Sequence, residues 1–319
     1  MKSTDTLIIG HPDRIDPFQL FLKVIALGQG PVLISGPVGS GKKKAARFLI
    51  ENGPHPAETI SRIDGLQISE DLWRRALAEM EDEGTLVFEN MQCLSRPLQG
   101  RFREWLTGGR GGLFSETQGP PIRGRILATT TDPKELWGDL LYHFPFHLQL
   151  PALNEVIEDI PYHLSIFLRE KPIRYIRYFF ILKTFHHQWG GNLLELQHYL
   201  DQALAYYQSK PLATGSGWGE EVFGEKRLRF YQDVFKGEWW YYPYNFPPGF
   251  DRELPFILNQ TDFRKDLIDQ GLVIPLLKEE PGFLVLDLKD REFENKANQI
   301  YRLFKKYRDN QGAGFDKGA

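Results

Sequence analysis

The sequence predicts an α/β protein built on a doubly wound parallel sheet, and three observations carry that reading. Residues 31–35 (PVLIS), 85–88 (TLVF) and 125–129 (RILAT) are short continuous apolar runs, the composition of strands buried on both faces. Segments with apolar residues at helical spacing lie between them, which is the alternation that builds a parallel sheet with helices on both sides. A glycine-rich turn ending in lysine joins the first run to a helix.

Each element has its own local signal. Residues 18–27 carry Phe18, Phe21, Leu22 and Ile25 at helical spacing and close on Gly28. A helix over 42–51 ends at Asn52-Gly53-Pro54. A second, over 70–83, sets Leu72, Ala76, Leu77 and Met80 on one face and stops at Gly84. Residues 98–106 continue as helix, and 108–119, rich in glycine, read as a hairpin. From 151 to about 207 the pattern is all helical, and 211–219 (PLATGSGWG) has linker composition. Residues 239–250 (WWYYPYNFPPGF) are dense in aromatics and proline, a pattern that suits core packing better than a base-stacking or peptide-docking surface. A helix over 262–270, strands over 273–277 and 283–288 joined at Pro281-Gly282, and a helix over 293–307 complete the chain. The expected domains are an α/β unit over 1–150, a helical lid over 151–208 and a linker over 209–220. A small α+β domain of winged-helix-like order (221–310) and a flexible tail (311–319) follow.

Composition narrows the function classes. The chain has 319 residues, 41% hydrophobic and 25% charged, with formal net charge -3, so no global basic field draws it to nucleic acid or anionic membrane. The one cysteine, Cys93, can form neither an internal disulfide nor a cysteine-based metal cluster. The N-terminus lacks a secretory pattern, and no apolar run approaches the roughly 20 residues that span a bilayer. These features read as a cytoplasmic protein with no membrane attachment.

The sharpest motif is Gly36-Pro37-Val38-Gly39-Ser40-Gly41-Lys42-Lys43, directly after a strand and opening a helix. This is the G-x-x-x-x-G-K phosphate loop in its required context. Gly36, Gly39, Ser40 and Gly41 let backbone N–H groups turn toward phosphate oxygens, and Lys42 supplies the charge that meets the β- and γ-phosphates of ATP or ADP. Lys43 stands where Ser or Thr would ligate Mg²⁺, and an ammonium has no lone pair to offer.

With these residues the chain resembles the AAA+ domain of sigma-54-dependent transcriptional activators, the bacterial enhancer-binding proteins. The resemblance runs from about residue 7 to 200. Ile9-Gly10, the phosphate loop and Gly84-Thr85-Leu86-Val87-Phe88-Glu89-Asn90 are similar to its opening, Walker A and Walker B segments. Arg125-Ile126-Leu127-Ala128-Thr129-Thr130-Thr131 is similar to the sensor I strand. Asp139-Leu140-Leu141-Tyr142-His143-Phe144, Leu150-Pro151-Ala152-Leu153 and Glu158-Asp159-Ile160 follow its order further on. Trp189-Gly190-Gly191-Asn192-Leu193-Leu194-Glu195-Leu196 resembles the lid segment. The implied fold is a AAA+ P-loop parallel sheet sandwiched by helices, then an all-helical lid and a small α+β C-terminal domain.

The departures from the family pattern concern catalysis. Glu89 replaces the Walker B aspartate and is the candidate Mg²⁺ ligand, while Asn90 replaces the glutamate that polarises water, and an amide is no general base. Thr131 stands at the sensor I asparagine, Leu194 at the sensor II arginine and His143 at an arginine finger, with Trp137 near the other finger position. Loss of such a finger costs on the order of 10³-fold in rate. The segment between the phosphate loop and Walker B is short and lacks the GAFTGA loop that grips the sigma factor.

The expectation is therefore a nucleotide-binding regulatory protein, a pseudo-ATPase with no confidently assigned catalytic residue. Its partners would be proteins, the transcription machinery or another AAA+ protein. An active ATPase completed by a partner subunit and an adaptor that binds no nucleotide are the alternatives. Direct DNA binding is disfavoured, because helix 262–270 sets Asp262, Asp266 and Asp269 against Arg264 and Lys265. His143 and His147 lie four apart, but Pro145 between them argues against a helix that would bring both onto one face to hold a metal, and Cys93 reads as an inert small residue.

Overall fold

Period-two alternation decides how the first unit packs. The computed structural model describes residues 10–28, 30–53, 60–79, 84–107, 124–169, 173–209, 239–241, 261–275 and 284–315. Five strands, β1 (Val32–Ser35), β2 (Ile60–Asp64), β3 (Thr85–Glu89), β4 (Arg125–Thr130) and β5 (Phe146–Gln149), form one parallel sheet in the order β2-β3-β4-β1-β5. Val32 lies opposite Leu127 on one side and Phe146 on the other, so β1 is an interior strand, buried throughout.

Alternate side chains feed two cores. Val32, Ile34, Val87, Leu127 and Leu148 pack under α1 (Pro12–Leu27) and α2 (Lys42–Glu51). Leu33, Leu86, Phe88, Ile126 and Ala128 face α3 (Glu70–Glu79) and α4 (Arg96–Leu106). There Trp73, Phe88, Phe102 and Trp105 make an edge-on aromatic cluster, with Trp73 and Trp105 centroids 4.9 Å apart. The sandwich predicted from the apolar runs is the observed architecture.

One arginine ties the layers together. Arg125, at the start of β4 and 1% exposed, donates Nη1 to the carbonyls of Ala26 (3.0 Å) and Leu49 (3.1 Å) and Nη2 to that of Ile25 (2.6 Å). These carbonyls lie in the last turns of α1 and α2; that of Ile25 also accepts from the Gly28 N–H at 3.0 Å, while those of Ala26 and Leu49 lie past the last N–H groups of their helices. A single guanidinium thus caps two helices, and burial lowers its pKa.

Two strands of this sheet carry weak sequence signals. β2 (ISRID) buries only alternate residues at a sheet edge, and β5 (FHLQ) buries Leu148 alone in full. The hairpin expected over 108–119 lies outside the described residues.

The second unit comprises residues 156–190 and 195–319, while 191–194 group with the first. It holds α5 (Ile160–Arg169), β6 (Ile173–Arg177), α6 (Tyr178–His186), most of α7 (Asn192–Ser209), β7 (Trp239–Tyr241), α8 (Thr261–Asp269), β8 (Ile274–Pro275), β9 (Leu284–Asp287) and α9 (Phe293–Phe315). Here the expectation of an all-helical lid is corrected. β6 pairs antiparallel with β9 and parallel with β7, in a sheet ordered β7-β6-β9-β8, so residues after 151 share a sheet with the C-terminal segment. The backbone groups of a five-residue strand need partners, and these come from residues some 60 to 110 positions away, which local periodicity does not reveal.

The C-terminal order of helix, strand, strand, helix matches the expectation, and β8 pairs antiparallel with β9. The turn at Pro281-Gly282, the linker core and most of the 239–250 aromatic run lie outside the described residues; 239–241 form β7. Phe185 stacks on Tyr301 at 4.3 Å, and Tyr307 donates its hydroxyl to Asp266 at 2.6 Å. That bond and nearby acidic charge push the Tyr307 pKa up to about 12. Among the described residues no helix is long and apolar enough to cross a membrane.

Candidate nucleotide site

The loop between β1 and α2 has the backbone that phosphate binding requires. Gly39 has φ +76° and Gly41 φ +99°, left-handed conformations costly for any residue with a Cβ. Gly41 caps α2, whose first-turn N–H groups have no earlier carbonyl in the helix to meet, so the helix opens with positive potential. At Gly39 a second constraint acts: an added Cβ would lie 2.1 Å from the carbonyl oxygen of Gly191.

Lys42 folds over this loop and donates Nζ to the carbonyls of Gly36 (2.6 Å) and Pro37 (2.8 Å). Burial lowers its pKa, so the ammonium is partly desolvated and would gain from an anion replacing those carbonyls. The buried Ser40 hydroxyl has no hydrogen-bond partner among the described residues. Left-handed glycines, a desolvated lysine and an orphaned hydroxyl fit a diphosphate.

The opposite wall departs from a hydrolytic site. Glu89, at the end of β3, pairs with Lys43 Nζ at 2.6 Å and with Arg62 of β2 at 3.6 Å. Asn90 adopts φ +56° and donates Nδ2 to Asp64 at 2.9 Å, while its N–H meets Thr129 Oγ1 at 3.2 Å. Thr131 takes its backbone N–H to Gln92 and its hydroxyl to Glu135, both at 3.3 Å. The structure thus brings Glu89 to the loop through Lys43 and ties Asn90 and Thr131 to other carboxyl and amide groups. A divalent cation does not fit: Lys43 brings no lone pair, and Glu89 already carries two cationic partners.

The remaining candidates divide. Leu194 lies beside the loop, its Cβ 3.2 Å from where a Gly39 Cβ would sit. His143 faces Asp139 at 3.6 Å, and Arg103 bonds the same carboxylate at 3.0 Å. Trp137 donates its N–H to Gln99 and lies under Arg103, 6.0 Å from its ring centroid. His147 bonds Ser35 at 2.8 Å, and partial burial lowers its pKa. Desolvation and the carboxylates of Asp64 and Glu135 raise the Cys93 pKa, which suppresses thiolate. Among the described residues no three His, Cys, Asp or Glu converge as a metal group.

The residue that sequence reasoning missed is Asn192. It is buried, at φ +55°, accepts at Oδ1 from the Leu153 N–H (2.7 Å) and donates Nδ2 to the Val38 carbonyl (2.8 Å). One amide thereby holds the phosphate loop from residues 154 positions downstream. Its sequence signals were its place after Gly190-Gly191, since asparagine tolerates the left-handed region better than most residues, and its position in the segment that resembles the lid; neither pointed to the phosphate loop. Asn192→Ala is expected to cost about 2 kcal/mol in urea unfolding, because it orphans a buried N–H and a carbonyl.

This strand order, with the phosphate loop after the interior strand β1, defines a P-loop nucleotide-binding fold of the AAA+ class. Residues 9–111 match the family model of the Sigma-54 interaction domain, and the first unit resembles that domain of bacterial transcriptional activators. Among curated relatives, the anaerobic nitric oxide reductase transcription regulator NorR of Escherichia coli is 23% identical over 261 residues, covering 72% of this chain and 51% of that protein. The DNA-binding transcriptional activator HyfR of Escherichia coli is 24% identical, over 57% of this chain and 32% of that protein. The chain therefore spans about half the length of these relatives or less. The structure of NtrX from Brucella abortus in complex with ADP aligns with TM-score 0.55 at 18% identity, covering 72% of this chain and 61% of NtrX. The ATP complex aligns at 0.52 and 18% identity, covering 64% and 54%. These likenesses establish the fold.

Proposed function

We propose that this chain is a nucleotide-binding regulatory module in transcription control, which binds ATP or ADP at Gly36–Lys43, turns it over negligibly and acts through protein partners in the cytoplasm. Support for binding comes from the fit of loop, Lys42 and Ser40 to a diphosphate, and from the ATP and ADP complexes of NtrX, which shares the fold. The observation that carries the loss of hydrolysis is Asn90. Where the resembled family places a water-polarising glutamate, this amide is spent on Asp64. His143 and Leu194, at arginine positions, offer no fixed cation for charge developing on a phosphoryl group, which also weighs against assembly of a competent ring.

Partners of this reading are proteins, either components of the transcription machinery or another AAA+ protein. Direct contact with DNA is not part of it. The surface of α8 is acidic, and Asp266 is engaged by Tyr307.

The test is phosphate release from ATP with Mg²⁺. Turnover is expected below about 0.01 s⁻¹, far under ordinary enzyme rates, and unchanged by Lys42→Ala. Asn90→Glu alone is expected to leave it there, because Lys43 and Arg62 still occupy the Glu89 carboxylate. Turnover near 1 s⁻¹ that Lys42→Ala abolishes would establish an active ATPase instead.

A further inference from the structure

We infer that nucleotide binds this site without Mg²⁺, because the Lys43 ammonium, paired with Glu89, takes the place of the divalent cation. This inference rests on the nucleotide-binding reading above.

In a P-loop site the hydroxyl residue after the loop lysine and the Walker B carboxylate share one Mg²⁺, so two otherwise separate elements meet through the metal. In this chain the same two positions meet directly. Lys43 Nζ lies 2.6 Å from Glu89 Oε2, across 46 residues of sequence. Arg62 Nη1, from β2, approaches the other carboxylate oxygen at 3.6 Å. The Glu89 side chain is 12% exposed, so its charge is largely withdrawn from water, and two cations now offset it. The Lys43 side chain is 78% exposed and anchored at the first turn of α2, next to Lys42, so it can shift between carboxylate and phosphate as nucleotide arrives.

The charge balance is consistent. Mg²⁺ brings two positive charges to a site whose carboxylate would otherwise repel the nucleotide. Here Lys43 and Arg62 supply two positive charges around Glu89, beside that of Lys42. A divalent ion entering as well would have to displace Lys43 from Glu89 and find a ligand where the chain offers only an ammonium.

The experiment is calorimetric titration of ADP into the full chain in excess Mg²⁺ and in EDTA, repeated with Lys43→Thr. For the unmodified chain the two dissociation constants are expected to agree within about threefold. Lys43→Thr, at an exposed side chain whose folding is checked by thermal melting, restores a hydroxyl ligand and frees Glu89. Its ADP affinity is expected to become at least tenfold tighter with Mg²⁺ than in EDTA. Tenfold tightening by Mg²⁺ in the unmodified chain would overturn metal independence while leaving nucleotide binding intact. A Lys43→Thr variant indifferent to Mg²⁺ would overturn the role of Lys43. Absence of binding in both buffers would overturn the underlying nucleotide reading, and this inference with it.

Discussion

Lys42→Ala is expected to weaken ADP binding at least about 30-fold, equivalent to about 2 kcal/mol, and to erase the ADP-dependent rise in melting temperature. Without nucleotide, Nζ is held by the Gly36 and Pro37 carbonyls, and burial has already removed part of its hydration. Most of the desolvation cost is therefore met before the ligand arrives. Exchanging two neutral carbonyls for phosphate oxygens then strengthens both hydrogen bonds. The pH dependence follows with a definite sign. Because the free-state Lys42 pKa is lowered, ADP affinity should begin to fall with rising pH below the range of an ordinary lysine near 10.5. Melting curves at several ADP concentrations, for both proteins, check the expectation. An unaltered ADP shift in the variant would place the nucleotide elsewhere.

Arg125→Met is expected to destabilise the first unit by about 3 kcal/mol in urea unfolding. Three hydrogen bonds from a charged donor, at about 1.5–3 kcal/mol each, are lost, and relief from burying the cation offsets part of that. The thioether side chain fills much of the volume, so cavity formation contributes little. What remains is the cost of leaving the Ala26 and Leu49 carbonyls unanswered at two helix ends, while the Ile25 carbonyl keeps the Gly28 N–H. Arg125→Lys should fall between, since an ammonium lacks the planar fork that spans both helices. A loss below about 1 kcal/mol in Arg125→Met would mean that water satisfies those carbonyls instead.

The readily legible parts of this protein are those whose physics is local. β1, β3 and β4 announce themselves because strands buried on both faces must be continuously apolar, and the phosphate loop because its backbone demands glycine at fixed positions. For Glu89 and Asn90, a place beside that loop is what the resemblance of residues 84–90 to the Walker B segment implies. β2 and β5 were hidden because an edge strand buries only alternate residues, and β6 because its partners lie far along the chain. Arg125 read only as the start of a buried strand, since nothing local marks a guanidinium that caps two helices. Asn192 and the Lys43–Glu89 pair were illegible for the same reason. Each is a contact between distant segments whose residue types are ordinary in isolation. Lys43 announced what the site had lost; only its distance to Glu89 shows what replaced it.

Calorimetric titration of ADP into the unmodified full chain, up to millimolar ligand, tests most directly whether the turn after β1 wraps around phosphate. Saturable heat with one site per chain is expected. Titrations that show no binding, whether Mg²⁺ is present or chelated, would contradict it.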